Sequence, residues 1–155
     1  MISSAMLSIL NTQSNSFIEK IRQNLTSTGT TATGKSAGSL YYKITDNGDK
    51  IDIEVIGARS YFATVETGRK PTPDKKPSRA MIDNITAWVN ARGKPESAVW
   101  AIATNIQKFG TELFQKGGRK DIYTDEIPGF VEELTDAMTK QWADEFFNEM
   151  LITFK

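Results

Sequence analysis

Apolar residues recur every three or four positions over residues 1–27, the spacing that gathers them on one face of a helix. A polar run at residues 11–16 interrupts this stripe, and Ser16 with Glu19 has the spacing of a capping box. We therefore predict a helix over residues 1–27, either in one piece or with a restart at Ser16.

Two further amphipathic stretches predict a pair of helices in the middle of the chain. The first begins after Ser78, a favourable N-cap, and ends near Gly93. The second begins near Pro95 and ends at Gly110. Because their connection is short, we expect them to pack as a helical hairpin. The predicted buried stripes are Met81, Ile82, Ile85, Trp88 and Val89 in the first helix, and Val99, Ile102, Ile106 and Phe109 in the second.

The longest predicted helix runs from about Gly129 to Lys155. At 1.5 Å per residue it would be about 40 Å long, more than a domain of this size needs, so we expect part of it to pack on something else. Its predicted stripe is Val131, Leu134, Met138, Trp142, Phe146 and Met150.

Residues 40–45 and 51–55 instead alternate between apolar and polar side chains, and residues 46–48 between them are typical of a turn. This pattern predicts a β-hairpin, and residues 61–65 are predicted to form a third strand. The predicted fold class is α+β: a small antiparallel sheet, made of the hairpin and a third strand, packed with the N-terminal helix, the central helical hairpin and the long C-terminal helix.

Two loops are predicted to be mobile within a single domain covering residues 1–155. Residues 28–38 are small and polar, whereas residues 69–79 contain three prolines that favour an extended, projecting loop. The first loop matches the spacing of a phosphate-binding motif from Gly29 to Ser36. That motif needs a strand before it and a helix after it, so a flexible loop is the favoured interpretation; a nucleotide-dependent enzyme using Lys35 and Ser36 is an alternative.

Composition narrows the possible chemistry. The chain has no cysteine and no histidine, so thiolate nucleophiles, imidazole bases and the commonest zinc ligands are excluded. One acidic group could hold a divalent ion, but it lacks a known ligand spacing and is better interpreted as a solvated helix face. We predict no catalytic residue, no metal site and no cofactor. The acidic group comprises Asp121, Asp125, Glu126, Glu132, Glu133 and Asp136.

The start of the chain lacks the features of a signal peptide, and no apolar run approaches the roughly 20 residues that span a bilayer. We therefore predict a protein made in the cytoplasm that has no membrane partner.

The distribution of charge is more informative than its total. Nineteen basic and nineteen acidic residues cancel, yet residues 69–79 carry five basic residues and one acid, a net charge of +4. Residues 121–150 carry nine acids and one lysine, a net charge of −8. The loop could contact an acidic protein surface or nucleic-acid phosphates, or could be solvated without a partner. The predicted interface residues are Arg69, Lys70, Lys75, Lys76 and Arg79, with Trp100 and Phe147 as aromatic anchors that lie off the apolar stripes.

Residues 58–115 resemble the neck or tail-completion family, the head–tail connector proteins of long-tailed bacteriophages. The resemblance lies in the order of a strand ending in Glu-x-Gly, a Pro-bearing loop, a helix with a Trp, and a closing Gly-Thr pair. The matching residues are Tyr61, Val65, Glu66, Gly68, Arg69, Pro71, Pro77, Trp88, Ile106, Gly110 and Thr111.

The resemblance implies a structural virion protein without catalysis. Members of that family form homo-oligomeric rings in the neck, between the portal or adaptor and the tail, and genomic DNA passes through them. Two alternatives remain for this chain: a nucleic-acid-binding module that uses residues 69–79, and a tail terminator or tail tube component.

Overall fold

The computed structural model describes residues 2–30, 35–57 and 62–153. These residues form an α+β fold of helices and one two-stranded antiparallel sheet, which packs against the first helix. The elements are α1 (Ser4–Ser27), α2 (Lys35–Gly38), β1 (Leu40–Asp46), β2 (Ile51–Gly57), a 3₁₀ turn (Phe62–Thr64), α3 (Arg79–Ala91), a 3₁₀ turn (Glu96–Ala98), α4 (Val99–Phe109), α5 (Glu112–Gln115), a 3₁₀ turn (Thr124–Glu126) and α6 (Ile127–Thr153).

The helix α1 is continuous and does not restart at Ser16. Its N-cap is Ser3, whose Oγ accepts a hydrogen bond from the Met6 amide at 3.1 Å. Two asparagines of the polar run contact Tyr42 on β1. The Tyr42 hydroxyl donates to Asn11 Oδ1 at 2.9 Å and accepts from Asn15 Nδ2 at 3.2 Å. These polar residues therefore attach the sheet to α1 without interrupting the helix.

The core forms where the apolar face of α1 meets the sheet and the start of α6. Tyr42 and Val55 pack against it from the sheet, which confirms that one face of the predicted hairpin is apolar. Burying these side chains is the main favourable contribution to folding. The buried members of the cluster are Phe17, Ile18, Ile21, Leu25, Leu40, Val65 and Ile122.

The predicted third strand is wrong. Residues 62–64 form a 3₁₀ turn, and the amides of Val65 and Gly68 donate to the carbonyls of Phe62 and Thr64 at 3.1 and 2.8 Å. Because these bonds are local, the amides are not available to pair with the edge of the hairpin. The motif residue Tyr61 lies outside the described residues.

The central helical hairpin is confirmed. Ser78 caps α3 by accepting from the Met81 amide at 3.2 Å, and α3 packs against α4. The predicted stripe of α4 is only partly right, because its fully buried side chains are Val99, Ala103 and Gln107, while Phe109 is 58% exposed.

The long helix α6 runs antiparallel to α1. Phe130 stacks on Phe17 with ring centroids 4.5 Å apart, Glu133 pairs with Lys20 at 3.2 Å, and Glu145 accepts from the Ser3 hydroxyl. The predicted apolar stripe of α6 is only partly right: Leu134 and Met138 are half-buried, whereas Val131, Trp142 and Phe146 are 52%, 63% and 51% exposed. The polar residues Gln141 and Glu145 are half-buried on the side of α6 that contacts α1.

The phosphate-motif match lies after a helix and before a strand, the reverse of the order that such a motif needs. Helix α1 precedes it, a single helical turn at Lys35–Gly38 ends it, and β1 follows. Residues 31–34 lie outside the described residues. The mobility predicted for residues 28–38 stays a prediction.

Candidate functional site

The two ends of the resembling segment lie against each other. The Arg69 amide donates to the Thr111 hydroxyl at 2.9 Å, and the Thr111 amide donates to the Arg69 carbonyl at 3.0 Å, although the residues are 42 positions apart. Three residues before Arg69, the side chain of Glu66 accepts hydrogen bonds from residues 122–124. We call these parts, residues 66–69, 110–111 and 122–124, the motif junction.

At the centre of the motif junction is the carboxylate of Glu66, which is only 3% exposed. Its Oε1 accepts hydrogen bonds from the amides of Ile122, Tyr123 and Thr124 at 3.1, 2.7 and 3.0 Å, and its Oε2 accepts from the Thr124 hydroxyl. The carboxylate thus satisfies amides that have no helical partner at the start of the 3₁₀ turn leading into α6.

These hydrogen bonds determine the ionisation of Glu66. Burial alone would raise its pKa, but the bonds from Thr124, Tyr123 and Ile122 outweigh that effect and hold the pKa below its ordinary value. The side chain is therefore a fully engaged anion at neutral pH. A carboxylate so committed is suited to hold structure together and poorly suited to transfer a proton.

Two glycines allow the close backbone approach at the motif junction. Gly68 has φ +72°, and a Cβ there would lie 2.4 Å from the Phe114 amide nitrogen. Gly110 has φ +79°, and a Cβ there would lie 2.7 Å from the Arg69 carbonyl oxygen. A side chain at either position would meet both an unfavourable φ and a steric clash with backbone.

The other motif residues lie elsewhere. Val65 is buried in the core. Trp88 is half-buried on α3, and Arg92 and Lys94 place their charged groups 5.3 and 5.0 Å from its ring centroid. The structure therefore brings Glu66, Gly68, Arg69 and Gly110 together and leaves Trp88 outside that group.

The motif junction supports the start of residues 69–79, which we call the basic loop. The Thr72 amide donates to the Gln107 carbonyl at 2.8 Å, and the Lys75 amide closes a turn on the Thr72 carbonyl at 3.1 Å. The tip is thus a turn and not the fully extended chain that the prolines suggested. Residues 73–76 are exposed, as are Lys70 and Arg79; the Arg79 guanidinium pairs with Asp83 at 3.1 Å. Mobility of the loop stays a prediction.

A contrasting surface lies where α6 passes the start of α1. Trp142 stacks on Phe146 and Phe146 contacts Phe147 edge-on, each pair with centroids 6.2 Å apart. These three rings are more than half exposed. Beside them is a groove of about 480 Å³. We call this surface the acidic-aromatic end; the groove lining that matters below is Ile2, Met6, Asp46, Asp49, Trp142 and Glu145.

The predicted anchors Trp100 and Phe147 are 62% and 60% exposed. No contact identifies an interface for either, so that role stays a prediction. The acidic residues near the start of α6 are partly neutralised, since Asp121 pairs with Arg119 at 2.5 Å and Glu133 pairs with Lys20 at 3.2 Å. Within the part of the chain that the structure describes, no group of three acidic side chains is arranged to hold a metal ion.

Sequence reasoning missed the roles of Glu66 and Gln107. Gln107 is 4% exposed, and its side-chain oxygen accepts from the Thr72 hydroxyl. Its position on the apolar face of α4, in line with Val99 and Ala103, is the signal that could have identified a buried polar contact.

In residues 2–30, 35–57 and 62–153, no helix is long and apolar enough to cross a membrane. Comparison of the chain with family models, curated proteins and solved structures finds no match.

Proposed function

We propose that this protein is a structural component of a bacteriophage particle that forms a ring in the head–tail connector. In this role it joins the portal or adaptor to the tail and allows DNA to pass. The observation that supports the proposal best is that different elements carry the basic loop and the acidic-aromatic end: the loop is bonded to Gln107 and Thr111, whereas the groove is lined by the start of α1, the hairpin turn and α6. A closed ring requires each subunit to offer two different, complementary surfaces.

The motif junction supports the same role. Its hydrogen bonds hold the loop, α5 and the start of α6 together, and the buried carboxylate of Glu66 accepts four of them. The residues that carry the resemblance therefore act as a scaffold from which the basic loop is presented. A scaffold of this kind suits assembly by fit between surfaces.

Disrupting the gene in the phage genome that encodes this chain tests the proposal. The expected result is an accumulation of filled heads and separate tails that do not join, seen by electron microscopy. Supplying the wild-type chain from a plasmid is expected to restore complete particles. Mass spectrometry of those particles should then detect the chain. Complete, infectious particles without the chain would refute the proposal.

The exposed lysines of the basic loop favour a second candidate, direct binding to DNA phosphates. Under this alternative the affinity of the purified protein for duplex DNA falls steeply with salt, and Lys75→Glu with Lys76→Glu reduces that salt dependence. An affinity for DNA that is undetectable at low salt would exclude this candidate.

A further inference from the structure

We propose that the basic loop of one copy docks into the groove at the acidic-aromatic end of the next copy, with Lys75 and Lys76 beside Asp46, Asp49 and Glu145 and against the ring of Trp142. This inference rests on the proposed ring, and it names the two surfaces that would form the ring contact.

The base of the basic loop and the groove lie near opposite ends of α6. The basic loop leaves the motif junction, which is bonded to residues 122–124 just before α6. The C-terminal end of α3 is attached at the same end, because Arg92 donates to the Gly29 carbonyl at 2.6 Å, just past the end of α1. The groove lies by Glu145, about 20 residues along α6, which corresponds to roughly 30 Å of helix. The base of the loop is thus separated from its own groove by most of the length of α6, and the groove of another copy can receive the loop.

The charges of the groove are fixed by its own hydrogen bonds. Asp46 accepts from the amides of Gly48 and Ile2 at 2.8 and 3.1 Å, and these bonds hold its pKa below the ordinary value. The Ser3 hydroxyl, and then Gln141, lower the pKa of Glu145 in the same way. Both groups therefore stay ionised at neutral pH. Lys50, the basic residue in the lining, pairs with Asp52 at 3.0 Å.

Trp142 supplies the apolar part of the contact. It is 63% exposed and forms one wall of the groove. The volume of the groove lies within the range of pockets that bind small molecules. A lysine stem can lie along an indole ring while its ammonium group meets carboxylates at the rim. The groove thus matches both parts of a lysine side chain.

Charge also argues against pairing of two identical ends. A contact between two acidic-aromatic ends would bring Asp46, Asp49 and Glu145 of both copies together, and like charges at close range are unfavourable. The basic loop has the opposite sign, and the described part of the chain contains no ion pair for Lys75 or Lys76. The expected contact is therefore head-to-tail.

The experiment is an exchange of charge between the two surfaces. One variant carries Lys75→Glu and Lys76→Glu; the other carries Asp49→Lys and Glu145→Lys, both at positions that line the groove. Self-association is measured by sedimentation velocity from micromolar to millimolar concentration. Each variant alone is expected to associate at least about tenfold more weakly than the wild type. Mixing the two variants, or combining all four substitutions in one chain, is expected to restore association, because opposite charges face each other again.

A second variant tests the aromatic wall. Trp142→Ala is expected to weaken association without changing the unfolding midpoint, whereas Tyr41→Ala, at another half-exposed ring on β1, is expected to change neither. Charge reversals that leave association unchanged, a mixture that restores nothing, or a wild-type chain that stays monomeric at millimolar concentration would each overturn the docking surface. The gene-disruption experiment is independent of these results. If the chain proves essential for joining heads to tails but the charge variants associate normally, this contact is refuted and the proposed function is not.

Discussion

The motif junction and the acidic-aromatic end are built on opposite principles. At the motif junction a carboxylate is buried and accepts four hydrogen bonds, and two glycines allow backbones to meet closely. At the acidic-aromatic end three aromatic rings are more than half exposed beside ionised carboxylates. The first region is expected to determine whether the chain folds, and the second to determine what the folded chain binds. Substitutions can separate these two roles.

The largest effect is expected from Glu66→Ala at the motif junction. It would leave the buried amide of Ile122 and the partly buried amides of Tyr123 and Thr124 without an acceptor, and we expect the free energy of unfolding to fall by about 4 kcal/mol. Urea denaturation followed by circular dichroism measures this. Glu132→Ala, at an exposed position on α6, is the matched control and should behave like the wild type. Equal stabilities of the two variants would show that the carboxylate is not a structural support.

A smaller loss is expected from Gly68→Ala, and Gly93→Ala provides its control. Both glycines have a positive φ, at +72° and +63°, but a Cβ at Gly68 would meet the Phe114 amide nitrogen whereas nothing lies within 4 Å at Gly93. We expect the free energy of unfolding to fall by about 3 kcal/mol for Gly68→Ala and by about 1 kcal/mol for Gly93→Ala. Thermal unfolding of both variants measures the difference, and a similar cost at the two sites would contradict the close approach.

The pH dependence of stability gives a third comparison. Because the pKa of Glu66 in the folded chain lies below its ordinary value of 4.5, the unfolded chain binds more protons as the pH falls. The contribution of Glu66 is therefore fully present above that value and is lost as the pH falls through the lower, folded pKa. Glu66→Gln is expected to reduce the acid-induced loss of stability. An unchanged slope in urea denaturation across the acidic range would contradict this assignment.

The smallest effect on folding is expected at the acidic-aromatic end. Trp142→Ala removes a side chain that is already mostly in water, so the free energy of unfolding should change by less than about 0.5 kcal/mol. Denaturation in urea at low protein concentration isolates this quantity from association. A loss comparable to that of Glu66→Ala would mean that the ring belongs to the core.

Features that depend on nearby residues could be predicted from the sequence. The cap at Ser78, the β-hairpin and the pairing of α3 with α4 follow from local spacing and short connections, and the structure has all three. The third strand was wrong because residues 62–65 satisfy their amides in a local turn. A mostly apolar run of five residues is too short to distinguish a strand from a helical turn.

The role of Glu66 could not be predicted, because its acceptor contacts are with backbone amides 56 to 58 positions away. Backbone amides are the same in every residue but proline, so no side-chain pattern marks them. The buried face of α6 could be predicted only in part, for a related reason. Its contacts with α1 are long-range, from Phe17 to Phe130 and from Ser3 to Glu145, and they leave Trp142 and Phe146 of the predicted stripe exposed.

Ser3 connects two parts of the molecule through one hydroxyl group. Its oxygen accepts from the Met6 amide and its hydrogen goes to Glu145, while the neighbouring Ile2 amide binds Asp46. The first turn of α1 therefore helps to set the shape of the groove. An affinity tag fused ahead of Ile2 would crowd that groove, so recombinant material for binding measurements should have such a tag cleaved before use.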